Sequence, residues 1–233
     1  MKLVGLISDT HGRLPEAALG AMAYCDHIIH AGDICDPGIL CELQILAPTT
    51  AVLGNNDYDE YGKSVTRFAH PVIDGVRFLV AHYPNDVRIG FNGSRAIAPG
   101  DPLPQVCVHG HTHIPELLTG RDAYPASCLS CLPGSVSRPR GGFPASVGFI
   151  ELEAGRIRAA RVESLEGEGA ARDGEIGKKK ARRPVARPAL LRVGGIPCVG
   201  LCCSCGTPMR KRQPPAARWR SLLVLACKRR VAL

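Results

Sequence analysis

The sequence predicts an α/β protein of four layers, two mixed β-sheets packed face to face with helices outside, followed by a disordered basic C-terminal tail. Three observations carry this expectation. Apolar strand-like runs alternate with helical stretches up to Leu53, the signature of parallel βαβ units. From Val65 to Val162 the chain reads mainly as short strands, which a second sheet would accommodate. Beyond Glu166 no apolar period is sustained, and Gly, Pro, Arg and Cys dominate. The expected division is therefore residues 1–166 as one domain and 167–233 as tail.

In order, Leu3–Ile7 is a buried strand that ends at Ser8-Asp9, and Pro15–Ala23 is a helix with proline in its first turn. A strand at His27–His30, a helix at Pro37–Leu46 and a strand at Thr50–Leu53 follow. Val65–Ala69 and Pro71–Ile73 read as short strands, and Asp74-Gly75 as the hairpin turn leading into Val76–Ala81. Pro84–Ile97 is polar and partly helical. Gln105–Val108, Glu116–Thr119, Ser127–Leu132, Ser146–Glu153 and Arg156–Val162 complete the strands, the last two joined at Ala154-Gly155.

Charge divides at the same boundary. Residues 1–166 hold 13 Lys/Arg against 18 Asp/Glu, a net of −5, whereas residues 167–233 hold 16 against 3, a net of +13. All 8 histidines fall between His11 and His113, so the acidic part is also the His-rich part, as a cation site requires. The 11 cysteines are scattered. Lys2 runs straight into a strand, which reads as no secretory leader, and no apolar run approaches membrane-spanning length. A reducing cytoplasm is expected, with the cysteines of the first part acting as small buried hydrophobes. Cys198, Cys202, Cys203 and Cys205 lack a zinc-knuckle spacing and a nearby His, and are read as tail thiols.

Five short segments each follow an expected strand, where α/β proteins place ligands. They are Ser8-Asp9-Thr10-His11-Gly12, His30-Ala31-Gly32-Asp33, Gly54-Asn55-Asn56-Asp57, Ala81-His82 and His109-Gly110-His111-Thr112-His113. Singly each is a common turn. Together they offer carboxylate, imidazole and amide donors, a hard-to-borderline set suited to divalent cations.

In this order the segments resemble the calcineurin-like metallophosphoesterase superfamily, most closely its small prokaryotic YfcE-like phosphodiesterase branch. The resemblance spans about residues 1–165 and includes Pro133-Gly134-Ser135-Val136-Ser137-Arg138-Pro139-Arg140. It implies a phosphodiesterase that hydrolyses small phosphate esters with a water activated between two divalent metals. Carried over by residue, Asp9, His11 and His113 would hold one ion, Asn55, His82 and His111 the other, and Asp33 would bridge them. The mixture of imidazole nitrogen with carboxylate and amide oxygen suits Mn²⁺, Fe²⁺, Ni²⁺ or Zn²⁺ better than Ca²⁺, and Mn²⁺ is expected first. Arg13, Asn56 and Arg138 are the expected donors to phosphoryl charge.

Three positions depart from the family pattern. Asn56 stands where many members carry a proton-donating His, Tyr83 where Gly is frequent, and Leu132 where Asn is common. His27, His30, His70 and His109 are expected to be structural, and Asp57 to orient a ligand or cap its loop. The same resemblance leaves a second reading, a catalytically silent protein-interaction scaffold of this fold. All seven ligand positions are filled, which favours the enzyme. No membrane association is expected. The basic tail, with Trp219 its single aromatic, would bind polyanions only weakly.

Overall fold

The computed structural model describes residues 1–88, 95–98, 100–119 and 128–165, together with the backbone of 191–192. The chain separates into two units, Met1–Val193 and Gly194–Leu233, and the second lies wholly outside the described residues. The elements in order are β1 (Lys2–Ile7), α1 (Glu16–Met22), β2 (His27–His30), α2 (Pro37–Leu46), β3 (Thr49–Ala51), a 3-10 turn (Asp59–Tyr61), β4 (Phe68–Ala69), β5 (Val72–Ile73) and β6 (Val76–Ala81). Then come α3 (Pro84–Val87), β7 (Val106–Val108), β8 (Glu116–Leu118), β9 (Leu129–Leu132), β10 (Ser146–Glu153), β11 (Arg156–Ser164) and β12 (Leu191–Arg192).

Two mixed sheets result. One has the order β12-β11-β10-β1-β2-β3, and the other β4-β6-β7-β9-β8 with β5 paired to β6. The strands β1, β2 and β3 run parallel, as do β6, β7 and β9. Alternation along the strands builds the layers. Val4, Leu6, Ile29, Ile150 and Leu152 from the first sheet meet Phe78, Val80, Val106, Val108 and Cys131 from the second in one core. The opposite face of the first sheet, with Ile7, Ile28, Val147 and Phe149, packs on Ala18 and Met22 of α1 and Ile39, Leu40 and Leu43 of α2. Leu79, Ala81 and Cys107 on the outer face of the second sheet pack with Val87 of α3. Each fully buried aliphatic side chain contributes about 1.5–3 kcal/mol. The expected α-β-β-α layering is present.

Local chemistry sets the element ends. Asp36 caps α2 by accepting from the Gly38 N–H at 2.8 Å, and Pro37 occupies the first turn, where its missing donor costs nothing. Asp74 and Gly75 adopt φ 48° and 78°, and Ala154 and Gly155 adopt 50° and 75°. Both pairs are tight hairpin turns of the hand that matches strand twist.

The structure shortens some expected strands. Val65–Ala69 contributes only Phe68 and Ala69 to the ladder with β6, and Thr66 makes a single bridge to Val52. Cys25, Cys107, Cys128 and Cys131 are buried as expected. Cys35 is half-buried and Cys41 exposed, because Cys41 lies on the outer face of α2, away from Leu40 and Leu43. The tail expectation falls outside the described residues apart from Leu191 and Arg192, which pair with Ala160 and Ala159 of β11. Among the described residues no helix is long and apolar enough to cross a membrane.

Candidate metal centre

The five segments converge because each follows the carboxyl end of a parallel strand: β1, β2 and β3 in one sheet, β6 and β7 in the other. Asp9, His11, Asp33 and His113 each present a donor atom within 4.8 Å of the other three. His113 Nε2 lies 3.1 Å from Asp9 Oδ1 and 3.2 Å from His11 Nε2. A second group sits beside the first. Asn55 Oδ1 is 3.1 Å from His82 Nε2 and 2.9 Å from His111 Nδ1.

Asp33 stands between the groups. Its Oδ2 lies 3.7 Å from His11 Nε2, and its Oδ1 lies 3.6 Å from His82 Nε2. The backbone N–H and side-chain amide of Asn56 donate to those two oxygens at 2.8 and 2.7 Å, which fixes the carboxylate plane.

Hydrogen bonds on the far side of the rings set which nitrogens face inward. His82 Nδ1–H donates to the Ala31 carbonyl at 2.8 Å, and His113 Nδ1–H donates to the Arg138 carbonyl at 2.6 Å. In both rings the Nε2 lone pair is left for the centre. Burial holds His11 and His111 below the usual imidazole range, so both present lone pairs near neutrality. The Asp9 hydrogen bond raises His113 against the opposing effect of burial. Burial disfavours ionisation of Asp9, but hydrogen bonds from His113 and Ser8 outweigh it and keep the carboxyl below its ordinary value. Carboxylate, amide and imidazole acceptors thus crowd together, with protons or cations needed to hold them. The residues fit divalent metal.

The backbone is specialised here. Among the described residues eight non-glycine positions have positive φ, and six are Asp9, His11, Asp33, Cys35, His111 and His113. Each such conformation costs of order 1–3 kcal/mol and persists only where the surroundings over-determine it. Gly32, at φ 92°, leaves no room for a side chain: a Cβ would sit 2.7 Å from His82 Nδ1.

A sequence profile of the calcineurin-like phosphoesterase superfamily domain matches residues 1–155. The chain belongs to the calcineurin-like phosphoesterase superfamily. A probable metallophosphoesterase of Methanothermobacter thermautotrophicus is 34% identical over 167 residues, covering 67% of this chain and 90% of the relative. Among solved structures, the phosphoesterase YfcE from E. coli matches with a TM-score of 0.52 at 23% identity, over 72% of this chain and 95% of that one. Vps29 from Entamoeba histolytica complexed with Zn²⁺ matches at 0.53 and 17% identity, over 72% and 94%. Those two share the fold.

On this metallophosphoesterase frame, Arg13 and Arg138 are exposed, and the Arg138 carbonyl rather than its guanidinium is engaged by His113. The Asn56 amide is directed at Asp33. His30 is fully buried and held neutral, with a pKa pushed down to about 4 by burial; it accepts from the Gly32 N–H at 3.2 Å and contacts Thr10 Oγ1 at 3.0 Å. His109 is likewise pushed to about 4. His27 contacts Thr50 Oγ1, and His70 the Ala96 carbonyl.

Asp57 does more than cap. It accepts from the Ile34 and Cys35 N–H groups at 2.8 Å each, from the Gly54 N–H at 2.7 Å and from the Tyr61 hydroxyl at 3.0 Å, tying the Asp33 loop to the Asn55 loop. Sequence reasoning missed the bracing role of the Pro133–Arg138 segment, where Ser135 and Ser137 hydroxyls donate to the Asp9 carbonyl at 2.8 and 3.0 Å. Partners more than 120 residues apart leave no local signal.

Proposed function

We propose that this chain is a dinuclear metallophosphodiesterase that hydrolyses small phosphodiesters, with Mn²⁺ its first metal and Ni²⁺, Fe²⁺ or Zn²⁺ able to substitute. The observation that carries the reading is Asp33, whose two oxygens face two separate donor groups. Asp9, His11 and His113 would hold one ion, Asn55, His82 and His111 the other, and Asp33 would be shared. When bound, a pair of divalent cations neutralises phosphoryl charge and lowers the pKa of water.

The protein supplies placement. The Nδ1–H bonds of His82 and His113 keep both rings aimed, and Asn56 keeps the Asp33 plane fixed. Exposed Arg13 and Arg138 at the rim meet the anionic ester. An amide at position 56 cannot protonate a leaving alkoxide, so either the leaving group is acidic or a water supplies its proton.

The test is turnover of bis(4-nitrophenyl) phosphate by purified chain, abolished by chelator and restored by Mn²⁺. Chelator-resistant turnover would sink the two-metal mechanism. The competing reading, a silent scaffold, draws on the Vps29 likeness. That protein is itself described with Zn²⁺, so metal content does not separate the readings and turnover does. A metal-loaded chain inactive on every phosphodiester offered favours the scaffold.

A further inference from the structure

A cavity of about 470 Å³ lies beside the Asn55 loop and has no part in the reading above. Leu53, Tyr58, Tyr61, Lys63, Val65 and Arg67 line it. Its volume falls in the range of small-molecule pockets and suits a base with its sugar. Tyr58 is 77% exposed, so its ring is open to stack against a ligand's ring. Lys63 and Arg67 add two cations to a domain that is acidic overall.

Two routes join this cavity to the metal centre. Along the chain, Leu53 is two residues from Asn55. Across the surface, the Arg67 guanidinium lies 5.7 Å from the centre of the Tyr83 ring, and that ring is 4.7 Å from the ring of His111. Arg67 is held in place. Its Nε and Nη2 donate to Asp86 Oδ2 at 3.3 and 2.9 Å, and Asp86 is only 8% exposed. Its plane also covers Phe68 at 5.5 Å. A planar cation fixed on aromatic rings is prepared for a phosphate.

Resting on the phosphodiesterase reading, we propose that this cavity is the leaving-group subsite, and that the leaving alcohol is itself a nucleotide. Its base would lie on Tyr58, and its own phosphate would meet Lys63 and Arg67. The substrate class is then a short dinucleotide bearing a second phosphate. Hydrolysis consumes one water: its hydroxide forms the new P–O bond, the internal P–O bond to the leaving sugar oxygen breaks, and that oxygen takes its proton from water, leaving one nucleotide on each side. Tyr83, standing where Gly is frequent in the family, becomes the wall that directs the leaving group toward the cavity.

The experiment compares kcat/KM of the Mn²⁺-loaded full chain on the thymidine dinucleotide with and without a terminal phosphate, alongside bis(4-nitrophenyl) phosphate. The phosphorylated dinucleotide should be preferred about tenfold or more, the effect of one charge-assisted hydrogen bond. Lys63→Glu should bring that ratio near one, chiefly through KM, with an unaltered melting temperature. Tyr58→Ala should raise KM for both dinucleotides by about tenfold, as loss of one stacked base does. A wild-type ratio near one, or a preference that survives Lys63→Glu, overturns the subsite while turnover of bis(4-nitrophenyl) phosphate leaves the phosphodiesterase reading standing. No turnover of any of the three overturns both.

Discussion

Asp57→Ala should damage the centre without touching any proposed ligand. The carboxylate accepts four hydrogen bonds, three from backbone N–H groups on the loops that carry Asp33 and Asn55. A hydrogen bond to a charged group contributes about 1.5–3 kcal/mol net. Asp57 is half-buried, so water replaces part of that, and about 1 kcal/mol per bond is the fairer figure. The expected loss is about 4 kcal/mol, which in a domain of this size lowers the melting temperature by about 8–16 °C. Asp57→Asn keeps one acceptor oxygen and should fall between. Calorimetry gives the stability term, and metal analysis on the folded fraction gives the coupling, since released loops would splay Asp33 from Asn55. If Asp57→Ala melts within about 2 °C of wild type and keeps its full metal complement, the tie between the loops is not what holds the centre.

Asp33→Asn should lower kcat by at least ~10²-fold, comparable with removal of a principal electrostatic group, and reduce total metal content; near-normal rate and content would remove Asp33 from the bridging position. His111→Ala and Asn55→Ala should each deplete one ion more than the other, because both side chains meet at Asn55 Oδ1; equal loss of two ions in folded protein would count against that division. Stability of the metal-free chain should fall with acid. His30 has its pKa depressed to about 4 in the fold against 6.5 unfolded, so the unfolded chain binds more protons between those values. The stability it contributes is present above pH 6.5 and is lost as pH falls toward 4, by up to about 3 kcal/mol. Melting curves on wild type and His30→Asn should converge at low pH; parallel curves would mean that His30 is not buried neutral.

The parts of this fold written in local sequence were legible. The helix Pro37–Leu46 and the strand Ser146–Glu153 begin and end where apolar period, cap and turn residues place them. The seven proposed ligands were legible because each follows a strand end in a short motif. Other parts depend on distance along the chain. That Val65 would drop out of its strand depends on how much of β6 is available for pairing. That Ser135 braces Asp9, and that the Asn56 amide turns to Asp33, depends on loops meeting across the fold. The left-handed backbone at Asp9, His11, Asp33, His111 and His113 has no glycine to announce it.

The donors come from both sheets. Asp9, His11, Asp33 and Asn55 belong to loops of the first, and His82, His111 and His113 to loops of the second. Neither proposed ion finds its full set on one side. Bound cations would therefore act as a clasp across the seam at the upper edge of the sandwich, where the apolar core between the sheets gives way to loops. Chelation would then be a mechanical event as well as a chemical one, loosening that edge while the interior stays shut. Hydrogen exchange should register it as faster exchange confined to the strand ends that lead into the site. A cell short of the right metal would hold an enzyme that is folded, idle and open along one edge.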